Sequence, residues 1–228
     1  MNLLDSILGR SPLALLFDLD GTLVDSAPDL AAALDVALVA GGYSAAGIDA
    51  ARYWVGNGAR KLLQRALAHA RECEEAQLDD AELDRLLTHF FQVYEGACTQ
   101  KTVLYPGVMP ALQCWHDSGI RMACVTNKPE RFARIIVEHF GLSTVMPVVL
   151  GGDSLPTRKP EPELLLEACR QLSVAVAEVI MVGDSSNDIL AARAAGMPVI
   201  AVPYGYNYGS DIADANPDLV IDSFDLLL

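Results

Sequence analysis

Two aspartates separated by one residue, Asp18 and Asp20, close an apolar run and are followed by Gly21-Thr22. Carboxylates that near each other repel unless a cation or a proton sits beside them. One of such a pair can act as a nucleophile while the other handles protons. The plain alternative is a polar Asp-Gly turn that ends a strand. Val125-Thr126-Asn127-Lys128 offers a hydroxyl and an ammonium that can hold phosphate oxygens, or else an ordinary turn. Arg158-Lys159-Pro160-Glu161-Pro162 sets a lysine before a stiff helix start, where its charge is held in place or simply solvated. Met181-Val182-Gly183-Asp184-Ser185-Ser186-Asn187-Asp188 again runs an apolar stretch into acids, with Asp184 and Asp188 at the spacing of one helical turn. Such oxygen ligands suit magnesium, although Asp188 also suits a helix N-terminus.

The elements that must position these groups follow from periodicity. Short runs rich in Val, Ile, Leu and Met, bounded by Gly, Asn, Asp or Pro, predict strands over 13–20, 121–126, 144–150, 178–182, 198–202 and 218–221. Helical patterns over 108–118, 129–140, 162–172 and 187–195 lie between them. Strands apolar throughout and alternating with helices predict an α/β fold, a doubly wound, Rossmann-like parallel sheet covered on both faces. Each of the four groups then stands at a strand's C-terminal end, the edge where open parallel sheets bind ligands. Residues 28–100 break the alternation. They offer no strand and at least three helices, one starting at Pro28 and stopping at Gly41-Gly42. Another carries Leu83, Leu86, Leu87, Phe90, Phe91 and Tyr94 along one face. The expected organisation is an α/β catalytic core, 1–26 and 102–228, interrupted by an all-helical cap domain, 27–101, with hinges near 26–28 and 100–105.

Of 228 residues, 30 are Asp or Glu and 16 are Lys or Arg, a formal net charge of −14. So acidic a chain repels polyanions, so neither nucleic acid nor a membrane surface is an expected partner. No apolar stretch approaches the length of a membrane span, and the first ten residues do not read as a secretory signal. A soluble, cytoplasmic protein is expected, as a monomer or a homodimer. Five scattered cysteines without a C-x-x-C pair read as reduced, packed thiols, and four histidines lack metal-ligand spacing.

Taken together, the stretch Phe17-Asp18-Leu19-Asp20-Gly21-Thr22-Leu23-Val24-Asp25-Ser26, then Thr126, Lys159 and Gly183-Asp184 with Asp188, resembles the four motifs of the haloacid dehalogenase superfamily over essentially the whole chain. The resemblance implies a Mg2+-dependent phosphomonoester hydrolase. In it Asp18 attacks phosphorus, and Asp20 protonates the leaving alkoxide and then activates water against the aspartyl-phosphate. Thr126 and Lys159 would hold the phosphoryl group, with Asn127 beside them. Asp18, the backbone carbonyl of Asp20, and Asp184 would bind the metal, with Asp188 ordering the surrounding shell or Lys159. Val24-Asp25-Ser26-Ala27-Pro28-Asp29-Leu30, Trp54-Val55-Gly56-Asn57-Gly58-Ala59, Val125-Thr126-Asn127-Lys128-Pro129 and Tyr204-Gly205-Tyr206-Asn207 are most similar to the bacterial phosphoglycolate phosphatases, which implies a small phosphorylated metabolite, 2-phosphoglycolate, as substrate. Backbone N–H groups of Gly56-Asn57-Gly58, with Arg60, would meet its carboxylate. Glu161, next to an anion site, departs from expectation. A dehalogenase lacks the second acid, and a phosphonate hydrolase needs a Schiff-base lysine for which Lys61 has no mark. Another small phosphate ester, a phosphosugar mutase, and a non-catalytic phospho-ligand sensor are the alternatives that stay open.

Overall fold

The structure, a computed structural model, describes residues 3–227. The chain opens with α1 (Leu3–Leu8), β1 (Ala14–Phe17) and β2 (Val24–Asp25). Next comes a run of helices, α2 (Ala27–Ala40), α3 (Ile48–Trp54), α4 (Ala59–Ala70) and α5 (Asp80–Glu95). It returns through β3 (Val103–Leu104), then α6 (Val108–Asp117), β4 (Arg121–Val125), α7 (Glu130–His139) and β5 (Val148–Leu150). The last third alternates α8 (Glu163–Leu172), β6 (Val179–Gly183), α9 (Ser186–Ala195), β7 (Val199–Ala201) and β8 (Leu219–Val220).

Six strands form one parallel sheet in the order β5-β4-β1-β6-β7-β8. Every residue of β1 is buried, and period-two alternation splits its side chains between two apolar layers. Leu15 and Phe17 join one layer, where Phe17 stacks on Trp115 at 5.8 Å; Ala14 and Leu16 join the other, under α8 and α9. That double burial is why the strands read as continuous apolar runs. The strand expected over 144–150 is shorter, because Leu142–Thr144 forms a 3-10 turn that brings the chain to the sheet edge. Three of the five cysteines are buried, Cys73 is half-buried and Cys114 lies at the surface, so the expectation of packed thiols holds for only part of the set. Among the described residues no helix is long and apolar enough to cross a membrane.

Between β2 and β3 the chain is helical, and α2 packs on α3 and α5 while α4 packs on α5. Asp79 caps α5 by accepting from the Glu82 N–H at 3.1 Å. The two crossings into and out of this segment are tied together, which the sequence did not disclose. β2 and β3 pair antiparallel, Val24 with Leu104 and Asp25 with Val103. Buried Asp29 accepts from the Lys101 and Thr102 N–H groups at 2.9 and 2.8 Å and from the Thr102 hydroxyl at 2.8 Å. A carboxylate that satisfies three donors, two of them buried, leaves these without it when removed, at about 2–4 kcal/mol. Asp29→Ala should therefore lower Tm by roughly 5–10 °C, and a shift within 1 °C in a thermal melt would show that the crossings do not depend on it.

Candidate active site

The sheet register assembles the site. Phe17 pairs with Cys124 of β4 on one side and Val182 of β6 on the other, so the residues that follow each partner emerge side by side. Asp18 continues the ladder by donating its N–H to the Val182 carbonyl at 3.0 Å. Thr126, Asp184 and Asp188 are brought to the same edge, and all are at least nine-tenths buried. Lys159 arrives from the loop after β5. Its ammonium is buried and donates to the Val125 carbonyl and Asp188 Oδ1, both at 2.7 Å, with Asp18 Oδ1 at 3.1 Å. Burial alone would pull this lysine down, but the carboxylates of Asp18 and Asp188 override it and hold the ammonium above the usual lysine range.

Asp18 Oδ1 also accepts from the Leu19 N–H at 2.7 Å, and the nearby Thr126 hydroxyl favours the ionised form of the same carboxylate. Burial nevertheless pushes the Asp18 carboxyl up to about 6, against the pull of Lys159. Asp184 is raised well above the usual carboxylate range, by burial first and then by Asp18 and Asp188. It accepts from the Thr22 hydroxyl at 2.8 Å and the Tyr206 N–H at 2.5 Å. Asp188 is the most heavily bonded of the three. Beyond Lys159 it accepts from the Asp184 N–H, the Ser185 N–H and the Ser185 hydroxyl, the last at 2.7 Å, and so closes a capping box that starts α9. Asp18, Asp184 and Asp188 each offer an oxygen within 4.8 Å of the others. Carboxylates so close, two of them driven toward protonation, make a donor set suited to a divalent cation. The approach is tight at Gly21, whose φ of +87° and whose missing Cβ, which would lie 2.2 Å from Asp184 Oδ2, both call for glycine.

Asp20 has a different setting. Its Oδ1 accepts from the Ser26 hydroxyl, and Lys128 Nζ lies 3.0 and 3.1 Å from its two oxygens. The same ammonium donates to the Tyr94 hydroxyl at 2.7 Å and lies 4.7 Å from that ring's centre. Asp18, Asp20, Thr126, Asn127, Lys128, Gly56 and Gly58 line one chamber of about 40 Å³ between the helical segment and the sheet edge, closed by Leu30, Val55, Leu62, Phe90 and Phe132. The helical segment is held against the core at several places, two of them at this chamber. The Gly56 carbonyl accepts from Asn127 and Asn187 at 3.0 and 3.2 Å, and Tyr94 packs edge-on to Phe132 at 5.1 Å. Gly56 needs to be glycine here, with φ at +118° and a Cβ that would lie 2.6 Å from the Tyr208 hydroxyl.

Two of the residues expected in substrate binding are placed elsewhere. Arg60 pairs with Asp80, at 2.7 Å, and with Asp84 on α5, and it does not line the chamber. Asn57 accepts from Arg65 at 2.8 Å. Glu161 is exposed, which removes the difficulty of an acid beside an anion site, and Lys61 is paired with Glu75. Roles for Tyr94, Ser26 and Tyr206 were missed. Lys128, whose motif offers an ammonium for phosphate oxygens, instead faces Asp20 and the Tyr94 hydroxyl, whereas Tyr94 reads from sequence as one more apolar position on α5.

Comparison with known proteins agrees with this geometry. The model of the haloacid dehalogenase-like hydrolases matches residues 13–196. A phosphoglycolate phosphatase of Pseudomonas fluorescens (strain Pf-5) is 44% identical over 220 residues, covering 96% of this chain and 80% of its own. One from Psychrobacter arcticus is 45% identical over 214 residues, covering 94% and 93%. A crystal structure from Haemophilus somnus, titled a predicted phosphoglycolate phosphatase, superposes with a TM-score of 0.87 at 37% identity, covering 93% of this chain and 94% of that one. The chain belongs to the haloacid dehalogenase-like hydrolases, and among them it is a phosphoric monoester hydrolase.

Proposed function

We propose that this chain hydrolyses 2-phosphoglycolate to glycolate and phosphate with Mg2+, through a phosphoryl group carried on Asp18, and that 27–101 act as a cap over the core. The observation that carries the reading is the division of partners between two neighbouring acids. Asp18 is pinned by Lys159 and the Leu19 N–H, while Asp20 is held by Ser26 and Lys128 at the chamber wall. A rotationally fixed carboxylate is placed for in-line attack on phosphorus. Asp20 then gives its proton to the departing alkoxide oxygen and takes one from the water that attacks the Asp18 phosphoryl group. Thr126 and Lys159 hold the transferring oxygens, and Lys159 balances charge that passes from Asp18 to phosphate. Asp18, the Asp20 carbonyl and Asp184 would hold Mg2+, which would offset the charge of phosphate and carboxylates together; Asp188, already bonded to Lys159 and Ser185, would order that shell.

The relatives' names and the size of the chamber support a small ester. Cap and core together line this chamber of about 40 Å³, so lifting of the cap would admit substrate and its closing would exclude water. Phosphate release from a panel of small esters, with and without Mg2+, tests the reading. Release led by 2-phosphoglycolate, dependent on the metal and at least roughly 10³-fold slower in Asp18→Asn, is expected. Release led by another ester would discard the substrate and keep the chemistry; a phosphorylated product without free phosphate would mean a mutase.

Metal binding should carry a pH signature. With its carboxyl raised from 3.8 to about 6, Asp18 binds a proton more tightly folded than unfolded. The metal-free fold is favoured by this group below pH 4 and loses that contribution as pH rises through 6. The cation must displace the same proton below pH 6, so its affinity should weaken up to about tenfold per pH unit there. The rise in Tm on adding Mg2+ should thus be larger at pH 7 than at pH 5, and an equal or smaller rise at pH 7 would contradict this setting of Asp18.

A further inference from the structure

With Arg60 engaged by Asp80 and Asp84, the chamber needs another group to meet an anion on the substrate's alcohol. Among the described residues that line it, Lys128 is the only one with a positive charge, facing two acids and a mainly apolar wall. It is 5% exposed, and burying an ammonium is costly unless function or pairing repays it. Lys159 is committed behind Asp18 to Asp188 and the Val125 carbonyl, on the phosphoryl side. Lys128 lies on the far side of Asp20, bonded to both of its oxygens and to the Tyr94 hydroxyl. Burial, and then the nearby Asp20, push the Tyr94 phenol well above its ordinary range, so it meets Lys128 as a neutral acceptor. Gly58 and Ala59, which open α4 and carry N–H groups without partners inside that helix, line the same chamber.

We propose that Lys128 is the specificity-determining residue for the alcohol end of the substrate, binding a carboxylate one carbon beyond the bridging oxygen, with Tyr94 of the cap orienting its ammonium. The geometry behind this is a sequence of neighbours: Asp18 at phosphorus, Asp20 at the bridging oxygen, and Lys128 within hydrogen-bond reach of Asp20. An ester of an α-hydroxy acid places its carboxylate one carbon past the oxygen that Asp20 serves, and so within reach of that ammonium. A neutral alkyl ester of the same size leaves the ammonium with no substrate partner. The inference rests on the hydrolase reading above and deepens it, because selection of carboxylate-bearing esters becomes a property of Lys128 and Tyr94.

The test compares kcat/KM for 2-phosphoglycolate and for ethyl phosphate, which matches it in length and lacks the carboxylate, in wild type, Lys128→Met and Tyr94→Phe. Wild type should prefer 2-phosphoglycolate, and Lys128→Met should reduce that preference on the order of 100-fold. Tyr94→Phe, which keeps the ring and drops the hydroxyl, should reduce it about tenfold, mainly through KM. Should Lys128→Met fail to fold, Tyr94→Phe and competitive inhibition by glycolate against each ester carry the same comparison. Equal losses on both esters would overturn the proposal, since Lys128 would then only place Asp20. A wild type that treats the two esters alike would overturn it as well. No phosphate from either ester in wild type would sink the hydrolase reading itself, a result separable from the other two.

Discussion

Three carboxylates with oxygens within 4.8 Å of one another, all buried, cannot persist without a compensating positive charge. Lys159 supplies part of it, with its ammonium against Asp18 and Asp188 and its remaining capacity used on the Val125 carbonyl. The part it leaves over shows in Asp18 and Asp184, both pushed toward protonation despite Lys159 and several hydrogen bonds. That residual negative charge, and the charge of an arriving phosphate with it, is what a divalent cation would neutralise. The arrangement is poor for stability and well suited to phosphoryl transfer, where little covalent work is needed beyond positioning and charge balance.

The rest of the structure keeps that cluster in place. Parallel pairing of β1 with β4 and β6 is the reason acids far apart in sequence become neighbours, and two apolar layers hold the sheet so that its edge does not move. The helices between β2 and β3 complete the enclosure. Their contacts with the core include Asn127 and Asn187 on the Gly56 carbonyl, Tyr94 on Lys128 and Phe132, and Arg52 on Asp25 and Tyr206. Because β2 pairs with β3 and Asp29 bridges the two crossings, both ends of the helical segment are fixed to each other.

Much of this was legible in the sequence because it is local. Asp18 and Asp20, Thr126 and Asp184 each close or follow an apolar run, Asp188 lies one helical turn on from Asp184 and Lys159 precedes a stiff helix start, and strand ends of a parallel sheet converge by topology alone. The helical interruption was legible for the same reason, since periodicity changes sharply after Pro28. Side-chain pairing across long sequence separation was not. Arg60 looked like a ligand-binding residue beside a glycine loop, yet its helix turns it toward Asp80 and Asp84, a choice that no spacing rule discloses. Tyr94 shares the apolar face of α5 with Phe90, and only the fold shows that its hydroxyl meets Lys128. The pairing of β2 with β3 spans too few residues to leave a strand pattern.

Direct identification of the phosphorylated residue tests the role of Asp18 more closely than any rate. Borohydride reduces an acyl-phosphate to the alcohol, so turnover quenched with it would convert the phosphorylated aspartate to homoserine, which peptide mass spectrometry locates. Homoserine at position 18, dependent on substrate and Mg2+ and enriched in Asp20→Asn, is the result expected if Asp18 carries the phosphoryl group. Homoserine at position 20 or 184 instead, or none at any aspartate while phosphate is being released, would contradict it.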